Sequence, residues 1–280
     1  MRLTALALTL TLSVSTFAAG AGKGSFRFGK VRFEPADAFA FVELRKDAPP
    51  LTVVALTSFP IDRPAVMEAI NTAGALFAQA AQRETGAIVF VRLNGPERCG
   101  VGGFLAQTQQ QIDLGESFPA RTVALTASRA AGECATSKPG KMFDDVYEFR
   151  LPYDVPVTAI PKPIALPNGG GEPGAAYAAL IKAIQAANWD AAHLRLREEE
   201  VPQARPKASE MRQYFDGVAL NYPKTVTVTG GLIKGDRANL DIRGTDHDSK
   251  KITGIVAMKK VSGQWRVVEQ NLFFAEWGAH

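Results

Sequence analysis

The sequence predicts two domains: a mainly antiparallel β-sandwich carrying one helix, then an α+β domain with helices on a four-stranded antiparallel sheet. Three observations predict this. Over 25–157, short stretches of apolar and polar residues are separated by Gly, Pro, Asn and Asp turns, which is the patterning of strands in a sandwich. A proline-rich then glycine-rich stretch at 161–174 interrupts it; proline forces extended geometry and glycine loosens it, so the stretch reads as a linker. Beyond it, apolar residues recur at helical spacing before strand patterning returns.

The chain begins with Arg2, an apolar run over 3–17 and small residues ending in Ala19-Gly20-Ala21. That is the order of an export leader, expected at 1–21 with cleavage after Ala21 or, earlier, after Ala18 or Ala19. The apolar run is shorter than the about 20 residues that span a bilayer. The expected location is therefore periplasmic or secreted, with no membrane span after leader removal.

The first domain is expected at 22–160. Phe26, Phe28, Val31 and Phe33 are interleaved with Arg27, Lys30 and Arg32, and a compact apolar run follows at 51–59. Further strands are expected at 87–93, 101–108, 122–127 and 146–151. The one helix is signalled by Asp62 as cap, Pro64 in the first turn, and Val66, Ile70, Ala73, Phe77 and Ala80 on one face. The chain has two cysteines, Cys99 and Cys134. In an exported protein an even pair reads as a disulfide. Gly100-Val101-Gly102-Gly103 opens a strand rather than a helix, so it reads as a bulge beside that bridge and not as a phosphate cradle.

Residues 161–174 form the expected linker, from Pro161, Pro163 and Pro167 to Asn168-Gly169-Gly170-Gly171-Glu172-Pro173-Gly174. In the second domain, at 175–280, Tyr177, Leu180, Ile181, Ile184, Ala187, Ala191 and Leu194 follow one helical face. Glu198-Glu199-Glu200 reads as a solvated charge run. A second helix is expected at 209–222, with Met211, Phe215 and Val218 on one face. Four strands follow at 225–233, 238–243, 252–261 and 264–273. In the second of them Ala238, Leu240 and Ile242 alternate with Asn239, Asp241 and Arg243.

Three pieces of this half carry a resemblance: the first helix ending at Asn188-Trp189-Asp190, the Tyr214-Phe215 helix, and the closing hairpin from Met258 through Ser262-Gly263 to Trp265-Arg266-Val267. Over 175–274 the chain resembles the nuclear transport factor 2-like superfamily, which includes the SnoaL and ketosteroid isomerase-like proteins. The resemblance implies an α+β roll, helices on a curved four-stranded sheet, with an apolar mouth. It implies little about function, because one fold hosts many roles.

Enzymes of that roll place Tyr, Asp or His in the mouth. Here Tyr177, His193, Tyr214, Asp216 and Asp241 are the available groups, and none sits in a transferable pattern, so no catalytic residue is assigned. Neither a G-x-S-x-G elbow nor a P-loop is present. His193, His247 and His280 are scattered, and no metal or other cofactor is expected. The net charge is only +4, with basic residues spread over both halves, so no nucleic acid partner is expected. The favoured function is an exported, non-catalytic binding or interaction protein. Its ligand would sit in the C-terminal mouth, lined by Tyr177, Ile181, Tyr214, Val218 and Trp265. The expected partner is a small apolar ligand or a periplasmic protein. The alternatives are an isomerase or dehydratase using that pocket, and an inhibitor or immunity protein that binds another protein.

Overall fold

The computed structural model describes residues 24–45 and 48–274. The expected leader, Trp277 and His280 lie outside them. The described residues fall into two compact units. The first runs up to Ile61 and resumes at Leu76–Ala159; the second takes Asp62–Ala75 and the residues from Ile160 onward. No helix among the described residues is long and apolar enough to cross a membrane.

The first unit is built on β1 (Ser25–Phe28), β2 (Val31–Phe33), β3 (Asp37–Arg45), β4 (Ala48–Thr57), β5 (Ala87–Leu93), β6 (Arg98–Leu105), β7 (Gln110–Leu125), β8 (Arg129–Ala135), β9 (Gly140–Met142) and β10 (Asp145–Thr158). This corrects the expected antiparallel sandwich. All ten strands belong to one mixed sheet, ordered β2-β1-β10-β3-β4-β5-β6-β7-β8, with β9 on β10. Strand β10 pairs in parallel with β3 through Val157 and Thr158. It also pairs antiparallel with β8 along Arg150–Pro156, so the pairings from β3 through β8 close into a ring on β10.

The long strands β7 and β10 make the closure, and prolines hid them in the sequence. Pro119 lies within β7, and Pro152 and Pro156 within β10. Proline lacks only the donor, so a strand tolerates it where the N–H would face away from the partner. The Val157 N–H donates to Ser128 on the β8 side. Alternation therefore aims the nitrogens of Pro152 and Pro156 away from β8.

Alternate residues of the ring, among them Ala40, Val54, Val89, Val101, Leu151 and Val155, point into one core. Inside it Cys99 and Cys134 form a disulfide with Cα atoms 6.2 Å apart. Strand β7 runs between their strands, with Phe118 opposite Cys99 and Ala120 opposite Cys134. Two interstrand spacings would separate them by about 9.6 Å. The shorter distance coincides with register shifts on either side of Val101. The glycine run lies inside β6 at these shifts. A Cβ on Gly103 would stand 2.1 Å from the Ile88 carbonyl oxygen. Gly103→Ala is accordingly expected to cost about 1–3 kcal/mol by overpacking. A chemical melt followed by far-ultraviolet circular dichroism measures it, and an unchanged midpoint would refute the close approach.

The one expected helix is two: α1 (Arg63–Glu68) and α2 (Thr72–Ala81). Asp62 caps α1 as expected, accepting from the Ala65 N–H. Ala69 then turns extended, and Asn71 starts α2 by accepting from the Gly74 N–H at 2.9 Å. Asn is among the strongest N-caps, and the continuous apolar face concealed it.

The second unit contains β11 (Ile164–Leu166), α3 (Gly171–Gln185), α4 (Trp189–Ala192), α5 (Met211–Ala219), β12 (Thr225–Lys234), β13 (Arg237–Thr245), β14 (Lys251–Val261) and β15 (Gln264–Phe274). Its sheet has five antiparallel strands in sequence order, not four. The additional strand, β11, comes from the Pro-rich stretch expected as linker and pairs with Gly231–Ile233 of β12. The expected long first helix also stops early. Ala187 adopts φ 50°, and Asn188 caps the short α4 by accepting from the Ala191 N–H. The three helices supply one side of the core. Val228, Leu240, Val256 and Val267 supply the sheet's side.

Candidate functional site

The five residues expected to line a mouth are brought together, but in the core. Tyr177 is 0% exposed, Ile181 4%, Val218 7% and Trp265 3%, and Tyr214 packs half-buried against the same cluster. The Tyr177 hydroxyl donates to Gln270 Oε1 at 3.1 Å. The Tyr214 hydroxyl donates to the Glu200 carbonyl at 2.9 Å. A recess that touches Ile181 holds about 10 Å³, barely the room one water needs. Large side chains of the protein itself, Tyr177, Phe215, Tyr222 and Trp265, fill the space between helices and sheet.

Glu200 departs from its expectation. Its side chain is 7% exposed and is bound by the Arg197 guanidinium. It also accepts from the Tyr222 hydroxyl at 2.6 Å and from Asn221 Nδ2 at 3.1 Å. Burial, followed by the hydrogen bond to Glu200 and that carboxylate's charge, pushes the Tyr222 phenol far above its ordinary value. Burial and the Glu200 charge raise Tyr177 likewise. Both hydroxyls therefore stay protonated and act as donors. Every bond of this network is internal; a recess of about 490 Å³ alongside α5 is lined by Gln185, Arg212, Asp216, Leu220, Lys224 and His247 among others, and by none of Arg197, Glu200, Asn221 and Tyr222. The network holds the 3-10 turn Glu198–Glu200 against α5. No local signal marks it in the sequence, since Arg197 and Glu200 meet Asn221 and Tyr222 only through the fold.

The more open site lies in the first unit. A groove of about 690 Å³ runs over β2, β1 and β10, lined by Ser25, Arg27, Arg32, Glu34, Thr136 and Glu148 among others. That volume falls within the range of small-molecule sites. Register builds it. Arg27 stands directly opposite Arg32 on β2 and opposite Glu148 on β10, so the three form one row on the solvent side. In the adjacent row Phe26 faces Phe33 and Phe149; the Phe26 and Phe149 rings stack at 6.1 Å on the core side and fix the strands.

The lining carries Arg27, Arg32 and Arg150 against Glu34 and Glu148. Arg27 reaches Glu148 at 3.3 Å, while its Nε is shielded from solvent without a hydrogen-bond partner. Arg150 is taken by Glu133 at 2.7 Å. Among the described residues Arg32 meets no carboxylate within ion-pair distance. Like charges directly opposed across two strands destabilise them, and a bound anion would relieve that repulsion through the guanidinium forks. The hydroxyls of Ser25 and Thr136 have no histidine beside them in the lining. In the sequence the Arg and Phe alternation at 25–33 has the pattern of an ordinary strand. Its partners at 148–150 are remote in the chain.

No family model matches this chain, and no curated protein matches it.

Proposed function

We propose that the protein is exported and serves as a non-catalytic binding protein, and that its groove over β2, β1 and β10 holds a ligand bearing a carboxylate or phosphate. One observation carries the reading: Arg27 and Arg32 are opposed across strands at a groove of about 690 Å³, where Glu148 pairs with Arg27 and the other lining carboxylate, Glu34, makes no ion pair with Arg32. The leader pattern at 1–21 and the buried Cys99–Cys134 bridge support export, since such bridges persist in oxidising compartments. The order of helices and strands over 175–274 supports kinship with the nuclear transport factor 2-like superfamily, in this reading with the interior closed by its own side chains.

A thermal-shift panel of dicarboxylates, acidic dipeptides and phosphomonoesters tests the groove. One class is expected to raise the melting temperature, and ligand at a hundredfold excess over Kd stabilises by about 2.7 kcal/mol. Arg32→Ala should weaken that ligand about tenfold, or about 1.4 kcal/mol, and Arg27→Ala by at least as much. If no class shifts the wild-type protein, or both variants bind as it does, the groove is not the site.

A further inference from the structure

The fold assembles on the second unit a charged feature that the linear sequence disperses. On the solvent face of the sheet, Lys234 of β12 stands opposite Arg237 of β13. Arg237 stands opposite Lys259 of β14, and Lys259 opposite Arg266 of β15. The residues beside them, Ala238, Met258, Trp265 and Val267, are buried on the helix side, so alternation places all four cations on the other side. Four basic side chains thus cross four adjacent strands in one row about 14 Å long. Each directly opposed pair of like charges costs stability.

Compensation is partial and one-sided. Lys234 Nζ donates to the Ala69 carbonyl at 2.7 Å, and Arg237 meets Glu68 at 3.5 Å. Among the described residues, Lys259 has no carboxylate within ion-pair distance, and Arg266 reaches only the Leu194 carbonyl, at 3.5 Å. The free end of the row is therefore the Lys259–Arg266 end, on the edge strand β15.

We propose that this row is a docking surface for an acidic polypeptide segment of a partner protein. The segment is extended, with carboxylates at alternate positions. Carboxylates at i and i+2 of a strand stand about 6.6 Å apart, enough to reach Lys259 and Arg266, the end of the row that Glu68 and the Ala69 carbonyl leave open. The surroundings select a narrow partner over a broad one. Asp241 of β13 and Glu269 of β15 lie on the same face as the row. A bilayer or a nucleic acid would bring further phosphates against those two carboxylates; a single strand laid along the row would not. Exposed Leu232 and Ile255 on that face offer apolar contact to the residues between the carboxylates. This surface is independent of the groove in the first unit.

The test uses the full chain and a fluorescein-labelled peptide with glutamate at three alternate positions, followed by fluorescence anisotropy. Binding is expected at low ionic strength and should weaken at about 0.15 M salt. The double variant Lys259→Glu/Arg266→Glu should lose at least about tenfold in affinity. Lys259→Gln/Arg266→Gln should fall between it and the wild type. Because the substitutions remove like-charge repulsion, both variants should melt at or above the wild-type temperature, which separates lost docking from lost folding. Lys141→Glu, in the other unit, should bind as the wild type does. The proposal is overturned if the peptide does not bind at low ionic strength, if the double variants bind it unchanged, or if anionic phospholipid vesicles or a single-stranded oligonucleotide bind more tightly than the peptide.

Discussion

Replacing Cys99 and Cys134 together by alanine is expected to destabilise the first unit by about 4 kcal/mol. The bridge spans a sequence separation of 35, and tying such a loop removes conformational freedom from the unfolded chain. It joins strands on either side of β7, so its loss also frees the region where the β6–β7 register shifts. Both sulfurs lie in a fully buried position, and the alanines leave unfilled volume there, which adds to the loss. Against a typical domain stability of about 5–15 kcal/mol this is a large fraction. The experiment has a built-in separation of signals. All three tryptophans, Trp189, Trp265 and Trp277, fall after residue 160. Tryptophan fluorescence therefore follows the second unit, while circular dichroism follows both. The variant should shift a circular dichroism transition to lower denaturant and leave the tryptophan transition in place. An unshifted circular dichroism transition would show that the bridge adds nothing to the fold.

Glu200→Ala should destabilise the second unit by about 3 kcal/mol. The carboxylate is 7% exposed and its Arg197 partner 24%. Removing one member of a buried pair strands the other, at about 3–5 kcal/mol. The lower figure applies because Arg197 retains some water and a contact with Glu199 at 3.3 Å. The change also deprives Tyr222 of its only side-chain acceptor in this network and removes an acceptor from Asn221. Glu200→Gln keeps an acceptor for the Tyr222 hydroxyl while losing the charge, so it should cost about half as much. Here tryptophan fluorescence is the reporter, since Trp189 and Trp265 share the core with Tyr222. A cost under about 1 kcal/mol for the alanine variant, the range of a solvated surface pair, would return Glu200 to the solvated charge run that its sequence suggests.

The candidate site was legible only in part. The strand carrying Phe26 and Phe28 could be read from its alternation, and its arginines were visible in the same pattern. What makes them a site is Arg27 facing Arg32 and Glu148 at once, and β10 joins β1 from more than a hundred positions away. The five residues assigned to a mouth show the converse. Periodicity places Tyr177, Ile181 and Val218 on apolar helical faces, and all three are buried, yet helical periodicity reports only that a face is covered. It does not distinguish a ligand from Trp265 and Phe215 as the cover.

Local chemistry was enough for the features set by neighbours in the chain. The Asp62 cap follows from a side-chain oxygen within reach of the next turn's N–H groups. The inward set Ala238, Leu240 and Ile242 follows from a two-residue period, and the Cys99–Cys134 pairing follows from there being two cysteines in a chain that reads as exported. Tertiary structure alone decided the rest: the parallel β10–β3 pairing, the closure of the ring through β8, β11 as a fifth strand, the burial of Glu200, and the row from Lys234 to Arg266. Each depends on which strands become neighbours. That choice is made by packing and hydrogen bonding between segments far apart in the chain, whose free energies leave no periodicity in the sequence. Local rules could therefore place a residue on a face, but only the assembled sheet could place one charge opposite another.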